Sequence, residues 1–465
     1  MQTLKDIFDG IGVGFIIYLI GYSTFLFLSV VAGATGLYHK KMQDRLMNKF
    51  TDNYFVPITI VVPAYNEEVT VVETVKSLLM LDYRLYEIIV VDDGSKDTTS
   101  QKLIEAYNMQ PVRRPVHRSI ECQPVEFIYE SYEQKVPLTL IRKKNGGKAD
   151  ALNMGINASQ YPYFICMDAD SVLQYDSLRK IVIPVLEEGN AVAVGGTVRP
   201  SNDVELHEGR VKKYQLPSNI LACMQLLEYD RSFLASRILF DRFNGSLIIS
   251  GAFGLFKKDT VIAAGVYDHG TMGEDMELVV KLHSYCLSNH IPYTIKYATD
   301  AVCWTQVPEK LGDLKKQRKR WHLGLFQTMW KHKKMLANPK FGSVGLISYL
   351  YFLFYELLSP FIEVFGVFTM VAAFFLDLLN LPFMLLFMLI YAFYNSVLTL
   401  TAFFSRIHTI DLTVHWKDCV KAIMLCFFEV TTLRFVMAFV RLTAFKGYKK
   451  KKLDWGRIER KKMQV

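Results

Sequence analysis

Several common signatures are absent from this 465-residue sequence, and each absence removes a class of function. Its seven cysteines, at 122, 166, 223, 286, 303, 419 and 426, form no CxxC pair, and no histidine spacing completes a zinc site. Scattered cysteines in apolar contexts read as reduced, buried side chains, which agrees with a reducing cytoplasm. No GxGxxG follows the first β-rich run, which argues against a dinucleotide-dependent oxidoreductase, and no GxxxxGK[ST] is present, so there is no Walker loop. The first apolar run lacks a basic leader, since Lys5 stands with Asp6 and Asp9, and it is too long for the core of a signal peptide. Between Pro57 and about Lys334 no stretch is apolar enough to span a bilayer.

What is present is divided along the chain. Hydrophobic residues make up 51% and charged residues 21%, and the mean hydropathy is +0.17. That combination implies a membrane protein with one large aqueous domain. Ile11 to Ala34 is an uncharged run, roughly 36 Å long as a helix. Its basic flank, Lys40, Lys41 and Arg45, follows it, so the positive-inside rule places the N-terminus outside and the next segment in the cytoplasm. After Phe341 the chain is apolar again. Ser343 to Leu378 reads as an interfacial piece followed by a crossing from about Pro360, and Pro382 to Phe404 as another crossing. Val420 to Phe445 contains Glu429, Arg434 and Arg441, and charges in mid-membrane are expensive. A broken or re-entrant helix pair at the cytoplasmic interface is therefore expected there, giving three crossings, with four as the alternative.

The net charge of +9 is concentrated at the end. Lys446 to Lys462 holds nine Lys/Arg and two Asp/Glu, a local +7. Beside apolar helices such a tail fits the anionic inner leaflet better than nucleic acid. The expected division is a transmembrane helix at 1–40, a cytosolic domain at 41–335 with an interfacial helix near 310–335, membrane and interfacial helices at 336–445, and a basic cytosolic tail at 446–465.

Within the aqueous region, ITIVVP, EIIVVDD, YFICMDAD and AVAVGGTV are short β-branched runs alternating with helical patterns. They predict a Rossmann-like α/β domain with a parallel sheet covered on both faces. Ligands of such sheets bind where strands end, and acids cluster there: VPAYNEE after the first strand, VDDGSKDTT after the second, and Asp168 and Asp170 in MDAD. In an extended segment, positions i and i+2 point the same way. Two such carboxylates repel unless a cation lies between them, and a hard divalent ion sharing a diphosphate would serve. In KKNGGKADALN, Gly146 and Gly147 precede Lys148 at a helix start, where phosphate is welcome. LIISGAFGLF reads as a strand running into small residues, and MGEDMELVVKLH as a helix with Glu274 and Asp275 at its start. Dipole complementarity accounts for at least one of those acids without catalysis. QRKRWHLG is read blandly as a basic interfacial helix with a Trp anchor.

In order, YNE, DDGS, GKADALN, DAD, SGAF, GED and QRKRW resemble the processive, membrane-integrated family 2 glycosyltransferases, which include cellulose, hyaluronan, chitin and poly-N-acetylglucosamine synthases. The resemblance covers about residues 54–335 and implies a GT-A fold. It implies that Tyr65, Glu67 and Asp93 hold uridine, with Asp92 supporting. Lys148 and Arg320 would contact pyrophosphate, and Asp168 and Asp170 would bind Mg²⁺ or Mn²⁺, with Asp168 also at the UDP. Asp275 would be the general base with Glu274 beside it. Ser250, Gly251, Gln317 and Trp321 would meet the acceptor sugar. The implied partners are a UDP-sugar, a growing polysaccharide, the lipid bilayer and accessory export or modifying proteins, and no nucleic acid. The implied location is the plasma membrane, multi-pass, with the catalytic domain cytoplasmic. By likeness to cellulose synthases the donor expected is UDP-glucose, with UDP-N-acetylglucosamine, or single transfer to a lipid, as alternatives. GED stands where the family has TED, small residues replace the acceptor-site cysteine of cellulose and hyaluronan synthases, and no cyclic-di-GMP domain is expected after Phe445.

Overall fold

The Val- and Ile-rich runs form strands buried on both faces. The computed structural model describes residues 2–47, 55–117, 119–410 and 415–446, so the tail from 447 onward lies outside the described residues. In chain order the strands are β1 (Ile58–Ala64), β2 (Tyr86–Asp92), β3 (Gln110–Pro111), β4 (Val125–Ser131), β5 (Leu138–Lys143), β6 (Tyr163–Cys166), β7 (Ser171–Leu173), β8 (Ala191–Pro200), β9 (Glu205–His207), β10 (Arg210–Lys213), β11 (Gly254–Lys257) and β12 (Thr294–Thr305). Alternate residues serve two cores. Ile58, Ile60, Val62, Ile88 and Val90 pack into one, and Val61, Ile89 and Val91 into the other.

Ten strands make one sheet in the order β3-β4-β5-β2-β1-β6-β11-β8-β12-β7, with β9 and β10 paired apart. The sheet is mixed, not parallel as expected. Its centre, β5-β2-β1-β6, is parallel, as is β8 with β12. β4 returns antiparallel to β5 because residues 132–137 between them are too few for a parallel crossover. β11 also inserts antiparallel between β6 and β8. The strand in LIISGAFGLF therefore follows the small residues instead of running into them: Leu247–Ser250 joins no sheet, and pairing begins at Gly254.

The helix Lys148–Ala158 lies so close to β1 that a Cβ on Gly155 would stand 2.2 Å from a Val61 methyl. This contact fixes the start of that helix over the carboxyl ends of β1 and β6.

Among the described residues three helices are long and apolar enough to cross a membrane: Thr3–His39, Met384–Ser405 and Trp416–Phe445. A bent pair, Val344–Leu357 and Ser359–Phe375, meets at 46° and would make a fourth. The bend falls where Pro360 stands in the first turn of the second helix. The segment 416–445 is one continuous helix, which corrects the broken or re-entrant pair expected there. Both its ends nevertheless rest on the α/β domain. Lys421 donates to the Pro217 carbonyl at 2.6 Å, and the Phe445 ring meets those of His322 and Phe326.

Candidate active site

The carboxyl ends of β1, β2 and β6 open into a cavity of about 2360 Å³ whose wall includes Tyr65, Glu67, Asp93, Lys148, Asp168 and Asp170. Each position follows from local structure. β6 stops at Cys166, and residues 167–170 turn, with the Ser171 N–H donating to the Asp168 carbonyl at 3.1 Å. The segment is thus a turn, not the extended stretch expected, yet both aspartates still reach the cavity. Asp92 does not line it. Its carboxylate accepts from the Ser95 N–H at 2.8 Å and from the Ser100 hydroxyl, which secures the loop after β2.

Asp93 is committed locally. It accepts from Gly146 N–H at 3.0 Å, from Gly147 N–H at 2.7 Å and from the Lys143 ammonium. Gly147, at φ +91°, takes a conformation suited to glycine. Lys143 is fully buried and also pairs with Asp150 at 2.6 Å. Burial pushes the Asp93 carboxyl above its ordinary value, against the pull of Lys143 and the two amides. Lys143 is thus the cation that folds the glycine loop over β2. It sits inside the KKNGGK run, but nothing in that run distinguishes it from its neighbour Lys144.

Lys148 lies between two carboxylates, Asp168 and Glu274, and not between the pair Asp168 and Asp170 where a cation was expected. Its ammonium lies 2.6 Å from Asp168 Oδ1 and 3.4 Å from Glu274 Oε1. Burial alone would lower its pKa, but Asp168 and Glu274 outweigh it and hold the group above the usual lysine value. Glu274 is raised by burial and by its neighbour Asp275, with Lys148 opposing.

Asp275 opens the helix Glu274–Ser288 on the same cavity. One oxygen accepts from Gly251 N–H at 3.1 Å and the other from Met276 N–H at 2.8 Å. The bare backbone at Gly251 allows this approach: a Cβ there would lie 3.3 Å from the Lys148 ammonium and 3.5 Å from Asp275. Ser250 lines the cavity next to it.

The helix Leu311–Lys331 brings Gln317, Arg320 and Trp321 to the cavity wall. Trp321 is 41% exposed and carries Arg318 over its ring at 4.6 Å. The Gln317 carbonyl oxygen is buried and, among the described residues, has no hydrogen-bond partner. Arg318, read from the sequence only as interfacial, is instead buried and forks onto Glu228 at 2.6 and 2.8 Å.

Whether Mg²⁺ or Mn²⁺ suits this mouth is a question of donor chemistry. Asp168 and Asp170 offer hard oxygen only, and Asp168 is a third exposed to the cavity. Among the described residues no three His, Cys, Asp or Glu side chains converge as a metal site, so an ion held by these two aspartates would need further oxygens, such as those of a diphosphate. The residues fit such an ion on those terms.

A mixed sheet whose strand ends carry paired acids, a glycine loop and a basic helix start defines the GT-A class of nucleotide-sugar-binding folds. The mannosyltransferase PcManGT from Pyrobaculum calidifontis, solved with GDP-Man and Mn²⁺, shares this fold at a TM-score of 0.52 and 19% identity, over 89% of this chain and 99% of that one. Residues 163–396 match the model of glycosyl transferase family group 2, and residues 59–120 that of glycosyl transferase family 2. The poly-β-1,6-N-acetyl-D-glucosamine synthase of Staphylococcus epidermidis is 30% identical over 346 residues, 72% of this chain and 73% of that protein. The protein of the same name from Staphylococcus aureus strain COL is 30% identical over 311 residues, 66% of this chain. The match spans 64% of the length of that relative. The chain belongs to glycosyl transferase family 2.

Proposed function

We propose that the protein is an inverting, membrane-bound glycosyltransferase that polymerises UDP-N-acetylglucosamine into a β-linked polysaccharide. The UDP-glucose expected from cellulose synthases gives way to UDP-N-acetylglucosamine because the relatives that match are named poly-β-1,6-N-acetyl-D-glucosamine synthases. One observation carries the reading of a processive synthase. The cavity lined by Asp168 and Asp275 is also lined by Tyr22, Phe25 and Tyr355 on the apolar helices, which offers a growing chain space beside the reacting groups and towards the membrane.

In this reading Tyr65, Glu67 and Asp93 hold the uridine, with Asp92 bracing the loop behind. Asp168 and Asp170 would hold Mg²⁺ or Mn²⁺, which when bound neutralises charge on the diphosphate. Asp275 accepts the proton of the acceptor hydroxyl as its oxygen bonds to the anomeric carbon and the bond to UDP breaks on the opposite face. The two backbone N–H donors fix the carboxylate while leaving lone pairs for that proton. Glu274 supports Asp275, and Lys148 and Arg320 stabilise the departing diphosphate. Ser250 and Gly251 leave room for the acceptor, Gln317 bonds it and Trp321 stacks on it.

We place the catalytic domain in the cytoplasm, where nucleotide sugars are made, in a multi-pass plasma-membrane protein. We take three crossings, Thr3–His39, Ser359–Phe375 and Met384–Ser405, because Lys421 and Phe445 hold the helix 416–445 to the domain at both ends; four crossings, with 416–445 as the fourth, are the alternative. Proteoliposomes given radiolabelled UDP-N-acetylglucosamine or UDP-glucose test the whole reading. A high-molecular-weight product from the first donor alone supports it; a single-sugar lipid product, or polymer from UDP-glucose alone, overturns it.

A further inference from the structure

Three guanidiniums of the cavity wall each hold a glutamate: Arg231 with Glu429 at 3.0 Å, Arg318 with Glu228 at 2.6 Å and Arg434 with Glu363 at 2.7 Å. Arg237 differs. It begins the short helix Arg237–Asp241 directly after the π-turn Ser232–Ser236, and among the described residues it forms no ion pair. Its guanidinium lies over the Phe233 ring at 4.0 Å. Nη1 reaches the Ile248 carbonyl at a long 3.4 Å, and Nε is shut off from solvent and has no hydrogen-bond partner among the described residues.

Stranding a charged donor in this way is costly. Burial pulls the Arg237 pKa down, with Tyr297, Asp275 and Tyr229 opposing. The side chain lines the cavity together with Ser250, Gly251 and Asp275, and the carbonyl it touches belongs to the segment leading into Ser250. A guanidinium only donates hydrogen bonds, so the missing partner must be an acceptor oxygen. In the stretch between Asp275 and the apolar helices, a sugar chain supplies such oxygens, from hydroxyls and from acetamido carbonyls.

We propose that Arg237 is a positioning residue that grips the terminal sugar of the acceptor chain and delivers its hydroxyl to Asp275. This rests on the glycosyltransferase reading above. The Phe233 ring fixes the plane of the guanidinium, and Ile248 anchors one corner. Nε stays closed off, so the outer edge of the guanidinium is the part that meets the acceptor from the cavity.

The test uses full-length protein in nanodiscs with UDP-N-acetylglucosamine and short β-1,6-linked N-acetylglucosamine oligosaccharides as acceptor, reading UDP release. Arg237→Met should raise the acceptor KM about tenfold or more, the scale of lost hydrogen bonds from a charged donor. The donor KM and UDP binding by calorimetry should stay within about twofold. Arg237→Lys, which keeps the charge and some donors, should recover part of the acceptor affinity. An unchanged acceptor KM in Arg237→Met overturns the proposal, and so does loss of UDP binding in both variants, because the guanidinium would then be holding the fold. If wild-type protein transfers nothing from UDP-N-acetylglucosamine, the underlying functional reading fails, a different result from either of these.

Discussion

Replacing Asp275 with asparagine removes one charge and almost no volume, so its consequences can be worked from the contacts. Both carboxylate oxygens accept backbone N–H groups, from Gly251 and from Met276. An asparagine offers one carbonyl oxygen, so one of those donors faces an NH₂ instead, at a local cost of about 1–3 kcal/mol. The larger effect is chemical. A positioned general base contributes about 10²–10⁴ in rate, or roughly 3–5 kcal/mol of barrier. Asp275→Asn should therefore lower the rate of UDP release at least about 100-fold. UDP affinity should hold, because Asp168 and Lys148 keep their contact at 2.6 Å. Glu274 should become easier to ionise, since Asp275 is one of the groups that raise its pKa. The assay pairs radiolabelled sugar transfer with calorimetric UDP binding on the same preparation. Transfer within about tenfold of wild type would remove Asp275 from the base role, because even the low end of general-base catalysis exceeds that.

Lys143→Met strands Asp93 and Asp150 in a buried site and should cost about 3–5 kcal/mol of stability, read as a lower melting temperature with UDP binding lost as the glycine loop loosens. Burial lowers His283 from 6.5 to about 4, while its ring bonds the Tyr293 hydroxyl at 2.6 Å and the Ser246 carbonyl at 2.9 Å. The unfolded chain then binds this proton first, so the contribution is fully present above about pH 6.5 and is lost as pH falls towards 4, up to about 3 kcal/mol. Melting temperatures across that window should fall more steeply for wild type than for His283→Gln. Chelation with EDTA should abolish sugar transfer, and Mg²⁺ or Mn²⁺ should restore it to wild type but not to Asp170→Asn; full activity in EDTA refutes the metal assignment.

What could be read from the sequence depended on how far apart the interacting residues lie. β1, β2, β6 and β8 appear as β-branched runs because burial on both faces demands it of each strand separately. The acids at their ends, the helix start at Glu274 and the basic helix around Trp321 are also local patterns. The antiparallel insertion of β11 is not, since its direction depends on which neighbours it finds, and Gly254–Lys257 pairs with β6 and β8 from distant parts of the chain. Asp93 illustrates the same limit. As part of DDGS it suggests a nucleotide contact, but its bonds to Gly146, Gly147 and Lys143, which lie 50 or more residues on, cannot be read from that motif. Lys148 can be read from the sequence as a phosphate ligand, but its pairing with Asp168 and Glu274, one 20 and the other more than 100 residues away, cannot.

The same reasoning explains the helix 416–445. Read alone, Glu429, Arg434 and Arg441 make an apolar segment too expensive to be continuous, and a break is the natural expectation. The cost assumes that the charges have no partners. Glu429 instead receives a two-pronged contact from Arg231 at 3.0 and 3.2 Å, and Arg231 also bonds the Thr399 hydroxyl. Arg434 donates twice to Glu363 at 2.7 and 3.0 Å and lies over the Tyr22 ring at 4.6 Å. Each pair joins this helix to an element remote in sequence, so neutralisation and tertiary attachment are the same event. The π-turn Glu429–Leu433 carries the first of these charges and leads directly into Arg434 without interrupting the helix. Because Arg231, Glu363, Glu429 and Arg434 all line the cavity, the groups that attach the helix also give the passage beyond Asp275 a polar wall. A hydroxyl-rich chain could then move through apolar surroundings without losing all of its hydrogen-bond partners.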